Sequence, residues 1–301
     1  MNLSRRDFLK MCGASAAMMS VGATIAPPAL TDRKPRAVPI SPKVSSGTLI
    51  DTTRCVGCRS CQTACKIANG LPTNDRPAAL SATTLTIVDF RNVSTKVEQP
   101  EIRPVKRQCM HCQEPACVSV CPVNALKKSE NGAVTYDANL CIGCRYCMVA
   151  CPFGVPKYDW TSPNPKINKC AQGCMADGKR DRPACVQACP NQALYYGNRD
   201  DLLAMAKDRI AKNPGKYVNQ IYGANEVGGT TMMYLSNTPF DQLGFRVDLP
   251  NEPLPNLTWA VQEKIPAIFA SAIALLSGIA WWTHRAESKK LVEAPVPVID
   301  Q

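Results

Sequence analysis

Sixteen of the seventeen cysteines in this 301-residue sequence fall into four groups of four: Cys55, Cys58, Cys61, Cys65; Cys109, Cys112, Cys117, Cys121; Cys141, Cys144, Cys147, Cys151; and Cys170, Cys174, Cys185, Cys189. Thiols in fours suit metal chemistry. In the third group, "CIGCRYCMVACP", the spacing is C-x2-C-x2-C-x3-C with a proline directly after the last cysteine. Three thiolates two residues apart wrap one iron cube, while the fourth, beyond a longer gap, points to a neighbouring site. The proline stops the turn and removes an amide that would need a partner. Zinc calls for two C-x2-C pairs closing a single tetrahedron, and a third cysteine after each pair is surplus to it. The spacing therefore predicts four [4Fe-4S] clusters held by all sixteen thiols, over a zinc site or a disulfide framework.

Other chemistry is sparse. His111, inside "CMHC", sits in a group that already has four thiols, so it is expected at the surface or hydrogen-bonded to sulfur as a supporting residue. Arg145 and Tyr146 are expected to pack over or hydrogen-bond near a cluster, and Cys12 has no assigned role. No nucleotide loop, Ser-His-Asp set or nucleophile stands outside the cysteine groups, and "GANEVGG" reads as a loop. No catalytic residue is expected, which disfavours a stand-alone enzyme.

The formal net charge of +11 raises nucleic acid or an anionic membrane as a partner. A four-iron cluster with its thiolates carries roughly two negative charges, so four of them cancel most of that excess. The basic residues are also dispersed, and nucleic-acid binding is not expected.

The elements that must position the thiols are duplicated. "GTLIDTTRCVGCRSCQTAC" from Gly47 matches "AVTYDANLCIGCRYCMVAC" from Ala133, and "PACVSVCPVNAL" from Pro115 matches "PACVQACPNQAL" from Pro183. Group one is thus a copy of group three, and group two of group four. The expected fold is α+β, two pseudo-repeated bacterial-ferredoxin-like modules spanning residues 47–200. "TLID" and "AVTYD" read as short strands leading into cysteine loops, with turns after Pro122 and Pro190. "ATTLTIVDF" and "EIRPVKRQC" read as a strand pair inserted at about 82–108, and "DDLLAMAKDRIAKN" as an amphipathic helix. Residues 31–46 look like a linker, and residues 214–256 like an extended arm closing the 201–256 segment.

Both ends read as addresses. "SRRDFLK" followed by an uncharged Ala-rich stretch makes residues 1–30 a twin-arginine export signal. "IPAIFASAIALLSGIAWW", Ile265 to Trp282, is eighteen residues without a charge, about 27 Å as a helix and enough to cross a bilayer. A transmembrane helix is expected at 257–283, with Trp259, Trp281 and Trp282 at the interfaces. His284, Arg285, Lys289 and Lys290 follow, so the 284–301 tail should stay in the cytoplasm and the body outside, as the export signal requires. Ala270, Ala274 and Gly278 form a small-residue stripe that suits approach by another membrane helix.

With "QCMHCQEPACVSVCPVNALKK" and "CRYCMVACPFGVPKYDW", the chain resembles the four-cluster ferredoxin-like electron-transfer subunits of respiratory oxidoreductases. Its overall architecture is similar to the HybA-type group of membrane-bound nickel-iron hydrogenases, over roughly Gly47 to Trp282. The resemblance implies a pairing of ligands. Cys109, Cys112 and Cys117 would hold one cluster with Cys151, and Cys141, Cys144 and Cys147 the next with Cys121. Cys55, Cys58 and Cys61 would act with Cys189, and Cys170, Cys174 and Cys185 with Cys65. The nineteen residues between Cys121 and Cys141 support the first pairing, since they make a compact unit, whereas group four departs from the simple run. The implied function is a membrane-anchored relay on the periplasmic side. It would run between the small and large subunits of a [NiFe] hydrogenase and an integral-membrane quinone-reactive subunit. A molybdenum-dependent oxidoreductase is the alternative partner, and an exported zinc or disulfide scaffold the alternative class.

Overall fold

The computed structural model describes residues 45–74, 77–94, 101–160, 167–172, 175 and 180–293, with side chains to residue 285 in the last helix. The export-signal segment, most of the linker, Cys12, Cys174 and the end of the tail lie outside the described residues. In chain order the elements are β1 (Ser46–Asp51), α1 (Ser60–Ala68), β2 (Thr86–Val93), β3 (Glu101–Gln108), α2 (Ala116–Ser119), β4 (Leu126–Lys128), β5 (Val134–Tyr136), α3 (Tyr146–Ala150), β6 (Lys157–Tyr158), β7 (Ile167–Asn168), α4 (Ala184–Gln187), β8 (Leu194–Asn198), α5 (Arg199–Lys212), β9 (Met232–Leu235), α6 (Leu254–Gln262) and α7 (Ile265–Glu293). Fold content is mixed α and β.

Strand pairing decides which cysteine groups meet. β1, just before group one, pairs antiparallel with β8, just after group four, in the register Ile50↔Leu194. β5, before group three, pairs antiparallel with β4, after group two, with Leu126↔Tyr136. Each pairing closes a loop whose two ends carry cysteines, and helices seal it, α1 packing on α4 and α2 on α3. The inserted β2 and β3 form an antiparallel hairpin whose inner residues Val88 and Val105 join the core.

β1 is the central strand of its sheet, so both of its faces are covered. Side chains alternate across a strand. Leu49 therefore packs against Leu202 and Ala206 of α5, while Thr48 and Ile50 face the cysteines. Leu202 and Ala206 are four apart on one helical stripe. Full burial of Leu49 and Ile50 contributes about 2 kcal/mol each.

Residues 214–256 are not the extended arm expected of them. Residues 232–235 form β9, which pairs parallel with β1 (Leu49↔Met233), and Tyr222, Tyr234, Phe240 and Leu243 are buried. Tyr222, Tyr234, Phe240 and Phe245 make an aromatic cluster with ring centroids 4.7–6.4 Å apart. Such packing needs no period, because turns present each ring separately; Gly223, at φ +91°, is one such turn and has no room for a Cβ beside the Met232 carbonyl. The segment is a second layer over the sheet and the hairpin.

Among the described residues, Leu254–Arg285 is the one helical stretch long and apolar enough to cross a membrane, with a mean hydropathy of 1.8 over its most apolar eighteen residues and none of these buried.

Candidate iron-sulfur centres

Matched backbone devices build the loops. Gly57 and Gly143 have φ of +71° and +72°, Arg59 and Arg145 +61° and +68°, His111 and Gln172 +48° and +56°, Asn124 and Gln192 +57° and +47°. Left-handed residues turn the chain sharply and so bend each loop. At Gly57 no side chain is tolerated, since a Cβ would lie 2.8 Å from the Phe90 ring. Asn124 and Gln192 perform the same task after each Cys-Pro. Each aims the next amide at the cysteine sulfur, Ala125 N–H to Cys121 Sγ at 3.2 Å and Ala193 N–H to Cys189 Sγ at 3.3 Å.

The structure sorts the described thiols into sets that cross the sequence groups. Cys55, Cys58 and Cys61 line one cavity together with Cys189. Cys65, the fourth of its run, turns away into a second cavity with Cys170 and Cys185. The reason is local: Cys61 and Cys65 stand one turn apart on α1, and the two cavities open at the two levels of that helix. Cys141, Cys144 and Cys147 line a third cavity with Cys121. Cys112 has Cys109, Cys117 and Cys151 as its electrostatic neighbours, which makes the fourth set.

These sets are suited to a group larger than one ion. Among the described residues no three His, Cys, Asp or Glu side chains converge closely enough to hold a single metal ion. Around zinc, thiolates would sit about 3.8 Å apart in a tetrahedron. Four thiols around a mostly apolar cavity instead fit a cube with an iron at each of four corners. Every described cysteine is a free thiol, so no disulfide occurs among them. Polar atoms left without partners also line the cavities, both amide atoms of Gln172 in the second and the Tyr158 hydroxyl in the third. A buried donor of this kind is satisfied by a sulfide or thiolate placed in the cavity.

Burial pushes Cys61 and Cys147 up to about 11 and Cys117 up to about 12, and holds Cys112 and Cys170 high as well. These thiols stay protonated without a metal, so loading must displace their protons. Exposed Cys58 differs, drawn down by the Ser60 hydroxyl and the Ser60 amide.

His111 is fully buried, not at the surface. Its Nδ1 accepts from the Val134 N–H at 2.8 Å, which puts the ring proton on Nε2, an atom with no partner. Burial, then the charges of Lys169 and Lys128, hold it well below the usual histidine range, so it is neutral. Arg145 lies 4.5 Å from the Trp160 ring and 5.2 Å from Tyr158, stacked at the mouth of the third cavity, while Tyr146 is exposed. Four lysines are buried, Lys66, Lys106, Lys128 and Lys169, the first of them next to Cys65 in the chain. Sequence reading missed them because a lysine in a local pattern gives no sign of facing inward.

Residues 101–199 match the 4Fe-4S dicluster domain family. The chain is 40% identical over 300 residues to a protein of Nitratidesulfovibrio vulgaris, covering 95% of this chain and 78% of that one. It is 36% identical over 285 residues to the hydrogenase-2 operon protein HybA of Escherichia coli O157:H7, covering 82% and 84%. Against the iron-sulfur subunit of the nitrate-inducible formate dehydrogenase of Escherichia coli K12 it is 32% identical over 251 residues, covering 79% and 84%.

Proposed function

The chain belongs to the ferredoxin-like 4Fe-4S electron-transfer subunits that include HybA and the formate dehydrogenase iron-sulfur subunits, and from that premise we propose a periplasmic relay with four [4Fe-4S] clusters. The ligand sets are Cys55, Cys58, Cys61 and Cys189; Cys65, Cys170, Cys174 and Cys185; Cys109, Cys112, Cys117 and Cys151; and Cys121, Cys141, Cys144 and Cys147. They belong to two repeated modules, each pairing one complete run with one interrupted run.

One observation carries the relay: the sets adjoin in series. Cys61 of the first set feels Cys185 of the second, Cys170 of the second feels Cys109 of the third, and Cys117 of the third feels Cys147 of the fourth. Bound clusters supply one-electron transfer. The protein's share is to hold them by thiolates, direct amides at the sulfurs and keep water from the inner sets. The outer sets each keep one exposed thiol, Cys58 and Cys144, where a partner's cofactor has access.

The relay runs between a [NiFe] hydrogenase catalytic unit and an integral-membrane quinone-reactive subunit, with α7 as the anchor and residues 1–30 as a twin-arginine export signal. The similarity to HybA supports this partner. The similarity to formate dehydrogenase subunits favours a second reading, the same relay serving a molybdenum-dependent enzyme. Anaerobic purification from the membrane, followed by iron, sulfide and metal analysis of the co-purifying subunits, separates them. About sixteen irons per chain with a nickel subunit is the expected result; a molybdenum subunit selects the second reading, and zinc or no metal refutes both.

A further inference from the structure

Lys106 of β3 lines both the first and the second cavity, and is the one lysine among the described residues that does so. It is 5% exposed. Its Nζ donates to Thr86 Oγ1 at 2.8 Å and to Gln108 Oε1 at 2.7 Å, both neutral. The bonds beyond them close a ring: Gln108 Nε2 donates to the Tyr234 hydroxyl at 3.0 Å, and that hydroxyl donates back to the Lys106 carbonyl at 2.9 Å. The ammonium is thus locked in place from three strands. Among the described residues no carboxylate pairs with it.

A buried charge without a counter-ion is disfavoured, and buried charges are normally paired. The groups that face Lys106 are the thiols of the two sets, Cys61 on one side and Cys185 and Cys170 on the other, which would become thiolates only on binding a cluster. Of the other buried lysines, Lys169 is bound by the carbonyls of Val134 and Cys170 and Lys128 by those of His111, Cys112 and Gly132, and neither they nor Lys66 line the two cavities. Arg54 and Arg59 also border the first cavity, but one binds the exposed Asn191 carbonyl and the other stacks on Phe90 at 5.0 Å.

We propose that Lys106 is a fixed positive charge shared by the first two cluster sites, and that it raises the reduction potential of both. The proposal rests on the relay reading above. Adding one electron to either site adds one negative charge beside a fixed cation in a medium of low dielectric, which favours the reduced form. The two potentials are thereby tied to one residue, while the third and fourth sites are beyond its contacts.

The test is Lys106→Met and Lys106→Arg in the full chain with its membrane partners, read by iron content and by redox titration followed by electron paramagnetic resonance. In Lys106→Met, at a given potential, the ratio of reduced to oxidised form should fall at least tenfold for two clusters, about 59 mV for a one-electron couple. The other two clusters should not move, iron content should stay full, and Lys106→Arg should stay close to wild type. Unchanged potentials with full iron overturn the proposal, as do equal shifts in both variants, which would mean packing and not charge. If Lys106→Met fails to load, a loaded Lys106→Arg with wild-type potentials sustains the charge role, and failure of both overturns it. A wild-type chain without iron-sulfur signals would refute the relay itself, a separate outcome from any shift at Lys106.

Discussion

Cys65 shows how much one side chain decides. In sequence it closes the first run, yet it opens into the cavity of Cys170 and Cys185, because a four-residue step on α1 carries it one turn beyond Cys61. The Asn69 side-chain amide, 3.7 Å from its sulfur, holds it there. Cys65→Ser should therefore abolish the same cluster signal as Cys170→Ser, and Cys61→Ser a different one. Electron paramagnetic resonance of the three variants checks this; loss of one signal by both Cys61→Ser and Cys65→Ser would break the grouping. The cysteines proposed as ligands were legible from spacing alone, since thiolate–iron geometry constrains a local run. Lys106 and the buried His111 were not, since their roles depend on contacts from β9 and β5 that no local pattern announces.

Among the elements, β1 joins the cluster sites to the rest of the protein. Its inward face lines the cavities, and its other face ends in Asp51, fully buried, which caps the Thr52–Arg54 turn through the Thr53 amide at 3.1 Å. The same carboxylate accepts from the Tyr217 hydroxyl at 3.0 Å and pairs with Arg209 of α5 at 3.2 Å. Removing one partner of a buried pair strands the others. Asp51→Ala should lower stability by about 3 kcal/mol, measured by anaerobic denaturant unfolding, and loosen the loop that bears Cys55. Asp51→Asn, which keeps the acceptor for Thr53, should cost less. Equal, small losses in both variants would remove Asp51 from this role. Asp137, its counterpart in the repeat, makes only an exposed turn through Asn139, so the duplicated sequence is used in two different ways.

For the whole molecule, the folded body and the apolar helix are separable tasks. The cysteine-lined cavities lie within residues 45–245, whereas α7 is exposed along its described side chains and packs against α6. Stopping the chain after Glu263 should release it from the membrane with its iron content intact, as sedimentation and iron analysis would show. Loss of iron on truncation would mean that the helix is part of the cluster-binding fold. The +11 charge also takes on a spatial meaning, since part of it is buried as Lys66, Lys106, Lys128 and Lys169.

The sequence by itself determined the ligand type, the cysteine runs, the duplication and the apolar helix, because each rests on neighbours within a few residues or on composition. Only the tertiary structure decided which runs share a cavity, through the β1–β8 and β4–β5 pairings. It also decided that residues 218–245 belong to the core, because an aromatic cluster assembled from turns has no period to read. Long-range pairing depends on register between distant strands, and that is a property of the folded chain.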